Sequence, residues 1–287
     1  MNFVSSLLAI CSSIEVNKRI INGTLAQDGA YPWIAHMKHV SEELINYCGA
    51  TIISNQWLLT AAHCMWSDDG SDKLKLEYWH VQIGSMKIVK GAEHTPDELI
   101  IDDNRHSYYR INRSNAAKIL HFHVDKIILH PSHKIGLLEY DIALMKIKGR
   151  IPYIWKKSTP ISLPLNKQVK RWPLAGTNCT IVGWGCTRAG EGANDVASVA
   201  ELEVLPNCSK FYNGVNDGHE FCAGYNNSGV GTCPGDGGNG LFCKHLGSMM
   251  VMGVMSGLYV EKPQTYPSIY VRVAAFIDWI QMEMKRN

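Results

Sequence analysis

Short apolar runs recur at close intervals along this chain. They are "YCGATIIS" (47–54), "WLLTAA" (57–62), "WHVQIG" (79–84), "KIILH" (126–130), "DIALMKI" (141–147), "NCTIVGW" (178–184), "LFCKH" (241–245) and "MVMGVMS" (250–256). Many are separated by turn residues. Strands this short and this frequent predict an all-β barrel or sandwich. A 3.6-residue period stands out once, in "VAAFIDWIQMEMKRN". There Val273, Phe276, Ile277, Ile280 and Met284 share one face, and Lys285 and Arg286 suit the C-terminal end of a helix dipole. The longest polar stretch runs from Lys87 to Lys118. Its acidic part (Glu93, Asp97, Glu98, Asp102, Asp103) precedes a basic, tyrosine-bearing part (Arg105, Tyr108, Tyr109, Arg110, Arg113). It reads as a solvated surface loop, with a binding loop as the sharper alternative.

Composition narrows the class. The chain has 287 residues, 46% hydrophobic and 19% charged, which suits one large globular unit or two small ones, with an ample core. A net charge of +2 lies too near zero to favour nucleic acid or an anionic membrane as the main partner. No apolar stretch reaches the roughly 20 residues of a membrane span.

The N-terminus reads as processing signals. "MNFVSSLLAICSS" (1–13) has the apolar run and small residues of a secretory signal peptide, without the usual positive n-region. A buried N-terminal strand is the alternative reading. Residues 14–19 then form a short propeptide ending in Lys18-Arg19, a cut site before Ile20, and residues 20–287 form the mature domain. Nine cysteines are present, one of them inside the signal. The other eight suit a disulfide framework in an oxidising, extracellular setting. No C-x-x-C pair or histidine cluster argues for zinc, so no metal or other cofactor is expected. Sequons at Asn22, Asn112, Asn178, Asn207 and Asn226 also fit export. Asn112, in the polar stretch, is the favoured acceptor, whereas Asn178 and Asn207 each abut a cysteine.

The chemistry-bearing residues come in a particular order. "LTAAHC" places His63 at the end of one apolar run, and "EYDIALMKI" places Asp141 at the start of another. "GTCPGDGGNGLFC" (231–243) is a glycine-rich turn of the kind that lets backbone N–H groups approach a substrate oxygen. Histidine, then aspartate, then a nucleophile turn is the order of the chymotrypsin-type triad. Yet Gly237 stands where a nucleophile would sit.

On these residues the chain resembles the trypsin/chymotrypsin family of secreted serine proteases from Ile20 to Asn287. "RIINGT" resembles the activation junction, "YCGATIISNQWLLTAAHC" the histidine segment, and "DIALMKI" the aspartate segment. "CTIVGWG" is similar to the strand leading to the autolysis loop, "CPGDGGNG" to the nucleophile loop, and "YPSIYVRVAAFIDWI" to the last strand and helix. The resemblance implies two packed six-stranded antiparallel β-barrels with a C-terminal α-helix and a cleft between the barrels. It implies His63 as general base, Asp141 as its orienter, and Gly237 in the serine's place. Gly235 and Gly237 would supply the oxyanion-hole amides, and Ile20, freed by a cut after Arg19, would pair with Asp236.

The specificity pocket would comprise Gly231 at its base, Thr232, Ser256, Gly257, Leu258 and Ser268. Gly231 offers no carboxylate for Arg or Lys, and Leu258 replaces a glycine at the pocket entrance. In the family register Cys48 pairs with Cys64, Cys179 with Cys243, and Cys208 with Cys222. The register's partner for Cys233 is absent, which leaves Cys186.

Loss of the serine costs on the order of 10⁶ in turnover, about 8 kcal/mol of barrier. Ser228 and Thr232 are the nearby alternative nucleophiles, and neither sits in the glycine-rich turn. Within the family the chain looks most like the inactivated serine protease paralogues of parasitic mites, relatives of mite digestive trypsin-like allergens. That implies a secreted, monomeric pseudoprotease binding host proteins such as complement components. An active endopeptidase with an unrecognised nucleophile, and a non-enzymatic decoy or antigen, are the alternatives.

Overall fold

A computed structural model describes residues 20–21, 23–41, 45–65, 75–88, 99–101, 107–110, 119–134, 138–165, 171–186, 192–224, 230–261 and 265–287. Among these the strands are β1 (Thr24–Leu25), β2 (Ile34–Val40), β3 (Ile45–Ile52), β4 (Trp57–Thr60), β5 (Trp79–Ile83), β6 (Leu99–Ile101), β7 (Ser107–Arg110) and β8 (Leu120–Leu129). They continue as β9 (Ala143–Ile147), β10 (Asn178–Gly183), β11 (Ser198–Glu203), β12 (Glu220–Ala223), β13 (Gly240–His245), β14 (Ser248–Gly257) and β15 (Ser268–Arg272). One α-helix, α1 (Ile277–Arg286), follows.

The strands form two antiparallel sheets. In the first, the order β5-β2-β3-β4-β9-β8 is closed by pairing of β5 with β8, giving a six-stranded barrel. Closure leaves these six strands no shared open edge. The hairpin β6–β7 extends this sheet beyond β8 and lies within the polar stretch expected to be a loop. The second sheet runs β1-β11-β10-β13-β14-β15-β12. It curls into a half-barrel in which the chain after β11 meets β12 at the bridge Val204 to Ala223, flanked by Leu205 N–H donating to the Cys222 carbonyl at 2.9 Å and Gly224 N–H donating to the Glu203 carbonyl at 3.0 Å. The expected two-sheet β fold with its C-terminal helix is found, but only the first sheet is a closed six-stranded barrel; the second is a seven-stranded half-barrel.

The helix begins at Ile277, after a single tight turn at Val273–Ala275. Ile277, Trp279 and Ile280 are buried, and His130 of the first barrel's side packs against Phe276 and Trp279 with ring centroids 5.2 and 5.0 Å apart. Lys126 Nζ and Lys146 Nζ donate to Asn287 at 2.5 and 2.6 Å, which fastens the chain's end to strands of the first barrel.

Candidate active site

His63 lies in the tight turn Ala62–Met65 that follows β4, and Asp141 lies two residues before β9. Strands β4 and β9 pair with Thr60 opposite Ala143, so the end of one meets the start of the other. That register brings two residues 78 apart in sequence into contact. His63 Nδ1 and Asp141 Oδ2 are 2.6 Å apart, and the His63 backbone N–H donates to Asp141 Oδ1 at 2.7 Å. Ser256, on β14 of the second sheet, donates its hydroxyl to Asp141 Oδ2 at 2.6 Å. Burial pushes the Asp141 carboxyl up. The His63 charge and the hydrogen bonds from His63 and Ser256 outweigh that, and its pKa lies below the ordinary value.

The glycine-rich turn enters from the second sheet. Gly49 of β3 donates its N–H to the Gly237 carbonyl at 2.8 Å, stitching the turn to the first barrel. The imidazole lies close over Gly237: a Cβ built there would sit 2.6 Å from His63 Nε2 and 3.2 Å from Cε1. The ring thus occupies space that any side chain at 237 would claim. Among the described residues, no partner is found for the N–H groups of Gly235 and Gly237. Gly235 holds φ at +99°, a conformation that L side chains rarely adopt.

Asp236 is fully buried beneath this turn. Its carboxylate accepts the Gly185 N–H at 2.8 Å and the Cys233 N–H at 2.9 Å. Burial pushes it up to about 6, against the pull of those two bonds. A Cβ at Gly185 would run into Asp236 Oδ2, so the approach requires glycine. Ile20 is also fully buried, and it holds φ at +43°, a strained value for a β-branched residue. That torsion is defined across the Arg19–Ile20 peptide, so a cut there abolishes it. Ile21 pairs with Gly231 and clusters with Cys186 and Cys233.

Of the residues assigned to the pocket, Gly231, Thr232, Ser256 and Ser268 are buried, and Gly257 and Leu258 are half-buried. Thr232 Oγ1 and Ser268 Oγ are 2.5 Å apart, and both residues are buried. Leu258 packs against the cluster that holds Met255 and Tyr270. The Tyr270 hydroxyl is buried without a partner among the described residues, and burial, with Asp236 nearby, raises its pKa far above the ordinary value.

Two neighbours were not legible in the motifs. Leu138 lies over Gly257, where a Cβ would meet Leu138 Cδ2 at 2.9 Å. Asn239 is wedged between the sheets: its side chain fills the space beside Gly49 and Gly183, and its Nδ2 donates to the Asp236 carbonyl at 3.1 Å. The available signal was asparagine in a glycine-rich turn where the family pattern has glycine.

Four disulfides join Cys48 to Cys64, Cys179 to Cys243, Cys186 to Cys233 and Cys208 to Cys222. Cα atoms of Cys186 and Cys233 are 5.2 Å apart, an ordinary cystine separation. The sulfurs of Cys48 and Cys64 cluster with the His63 ring, but as a disulfide they offer no thiolate to a metal. Asn178 and Asn207 are exposed beside bridged cysteines, whereas Asn22, Asn112 and Asn226 lie outside the described residues, as do residues 1–19 and Ser228. Among the described residues, no helix is long and apolar enough to cross a membrane.

A closed six-stranded barrel and a half-barrel, with a histidine–aspartate pair facing a glycine-rich turn at their seam, define a chymotrypsin-type protein. The Trypsin family matches residues 20–98 and 101–280, and the chain belongs to that family.

Proposed function

We propose that this protein is a secreted serine protease homologue without proteolytic activity, acting by binding other proteins. The observation that carries this reading is Gly237. At the position of the attacking serine it has no side chain, and His63 has closed to within 2.6 Å of where a Cβ would lie. In this reading His63 and Asp141 are vestiges of the triad, Gly235 and Gly237 of the oxyanion hole, and Gly231, Thr232, Ser256, Gly257, Leu258 and Ser268 of the pocket. Thr232 is buried with its hydroxyl against Ser268, which argues against it as a substitute nucleophile. The mature chain starts at Ile20, and the buried, strained Ile20 supports a cut there. Eight bridged cysteines and a trypsin-family fold fit an extracellular protein. Host defence proteins such as complement components are the proposed partners, and the protein is proposed to act as a monomer.

The test is labelling with a fluorophosphonate, which reacts only with an activated nucleophile, beside an active trypsin-family control. No labelling of folded protein cut at Arg19 is expected. Stoichiometric labelling would overturn the reading. Titration against purified complement components then asks for saturable binding.

A further inference from the structure

A cavity of about 430 Å³ lies in the second half of the molecule, and no residue of the His63–Gly237 cleft lines it. Its apolar walls include Leu174, Val204, Pro206 and Phe221, and Arg171, Asp217 and Arg272 supply its charge. This volume falls in the range of small-molecule sites, which are mostly apolar with a few placed polar groups.

Arg272 gives the cavity its chemistry. The residue is only 8% exposed, and its guanidinium lies 5.0 Å above the Phe221 ring. It donates to four backbone carbonyls: Arg171 at 2.8 Å, Pro173 at 3.2 Å, Asp217 at 3.4 Å and Glu220 at 3.3 Å. Those carbonyls take its Nη donors and hold it in place, but they are neutral, and Asp217 offsets its charge only in part. Burial pulls its pKa down to about 10, with Asp217 opposing and Arg171 adding to the fall, so it stays cationic at neutral pH. A buried charge that is only partly offset is costly, and an anion brought against it recovers part of that cost. Arg171 adds a second cation at the exposed rim, against the single carboxylate of Asp217.

We propose that this cavity binds an organic carboxylate with an apolar body of roughly ten heavy atoms. The carboxylate faces Arg171 and Arg272, and the body lies along Leu174, Val204 and Phe221. The site is separate from the vestigial cleft, so it stands whether or not the protein proves inactive.

The experiment titrates the mature protein with octanoate and, separately, with uncharged octanol. Binding is followed by calorimetry and by methyl NMR shifts of Leu174 and Val204. Octanoate is expected to bind saturably with a dissociation constant below about 1 mM, and octanol at least about tenfold more weakly, since the charge contact is worth about that factor. Arg171→Glu, at an exposed position, should weaken octanoate about tenfold or more, and Asp217→Asn should tighten it about threefold. Leu174→Trp, which fills the mouth, should abolish the shifts. Absence of saturable shifts at Leu174 and Val204 would overturn the proposal. So would equal binding of octanoate and octanol, or indifference to Arg171→Glu in folded protein.

Discussion

The Asp141 cluster and the residues assigned to the pocket are held in different ways. Around Asp141 a hydrogen-bonded set is intact: two bonds from His63 of the first barrel and one from Ser256 of the second sheet meet on one buried carboxylate. Among the residues assigned to the pocket, Leu258 packs against the Tyr270 cluster and Leu138 lies over Gly257. The difference follows from what each contributes to the fold. Asp141 joins a turn of the first barrel to a strand of the second sheet, so its bonds stabilise the fold regardless of chemistry. Under the proposed reading, with nothing to cleave, an open pocket would stabilise nothing, and apolar side chains packed there would remove surface from water.

The strongest way to break this comparison is to restore the nucleophile. Gly237→Ser must displace the His63 ring, because even its Cβ would meet Nε2 at 2.6 Å. The variant, cut at Arg19 and folded, is expected to cleave trypsin-, chymotrypsin- and elastase-type peptides more than tenfold below an ordinary digestive protease. The unaligned substrate forfeits several kcal/mol of the roughly 8 kcal/mol that the serine supplies. Adding Leu258→Gly should raise the rate above that of the single variant. Full activity from Gly237→Ser alone would show that the pocket is still built for catalysis.

The next effect is on stability. Asp141→Ala leaves the Ser256 hydroxyl and the His63 backbone N–H without their acceptor and should cost about 3–5 kcal/mol. Urea unfolding measures it, and a loss under about 1 kcal/mol would refute a structural role for the pair. The sign with pH follows from its lowered pKa. Asp141 contributes stability above the unfolded carboxylate pKa and loses it as pH falls through the folded value.

The smallest effect concerns Asp236, whose pKa is raised from 3.8 to about 6. A raised carboxyl pKa works the other way: its stabilising contribution is present below the unfolded pKa and lost as pH rises from about 4 to about 6. The loss is roughly 3 kcal/mol. His36, which burial holds at about 3, titrates in the opposite sense across much of the same window, so the slope must be read as a difference. Cutting at Arg19 places an ammonium on Ile20 and should remove the Asp236 penalty. Between pH 4.5 and 7 the cut chain should gain up to about 3 kcal/mol on the uncut one in urea unfolding. Parallel pH profiles would mean that the Ile20 ammonium does not reach Asp236.

How much of this was legible in the sequence depended on how apolar each segment is. Strands β3, β4, β9, β10, β13 and β14 coincide with the apolar runs, because both faces of most of them are covered. Strand β2, "IAHMKHV", was hidden by His36 and His39, which are buried despite their polarity. Strands β11 and β12 carry Glu201, Glu203 and Glu220, and "EFCA" is too short to show a period. At the site, His63, Asp141 and the turn were found by local motif. The wedge of Asn239 against Gly49 and Gly183, and the lid of Leu138 over Gly257, were not. Each depends on segments that meet only once the two sheets are packed, and no window of sequence contains both partners.

The bridge from Cys186 to Cys233 spans 47 residues of chain. It joins the same two segments that the Asp236 carboxylate joins, and Cys186 N–H adds a bond to the Pro234 carbonyl at 3.1 Å. Closing a loop of that length withdraws about 4 kcal/mol of freedom from the unfolded chain on the chain-entropy account. The bond also sets a hard limit on excursions: whatever happens at Ile20, the 183–186 segment and the 233–238 turn cannot part by more than a cystine spans. Oxidation therefore limits how far Cys186 and Cys233 can part whether or not the chain is cut, and a reductant is the reagent that would release them.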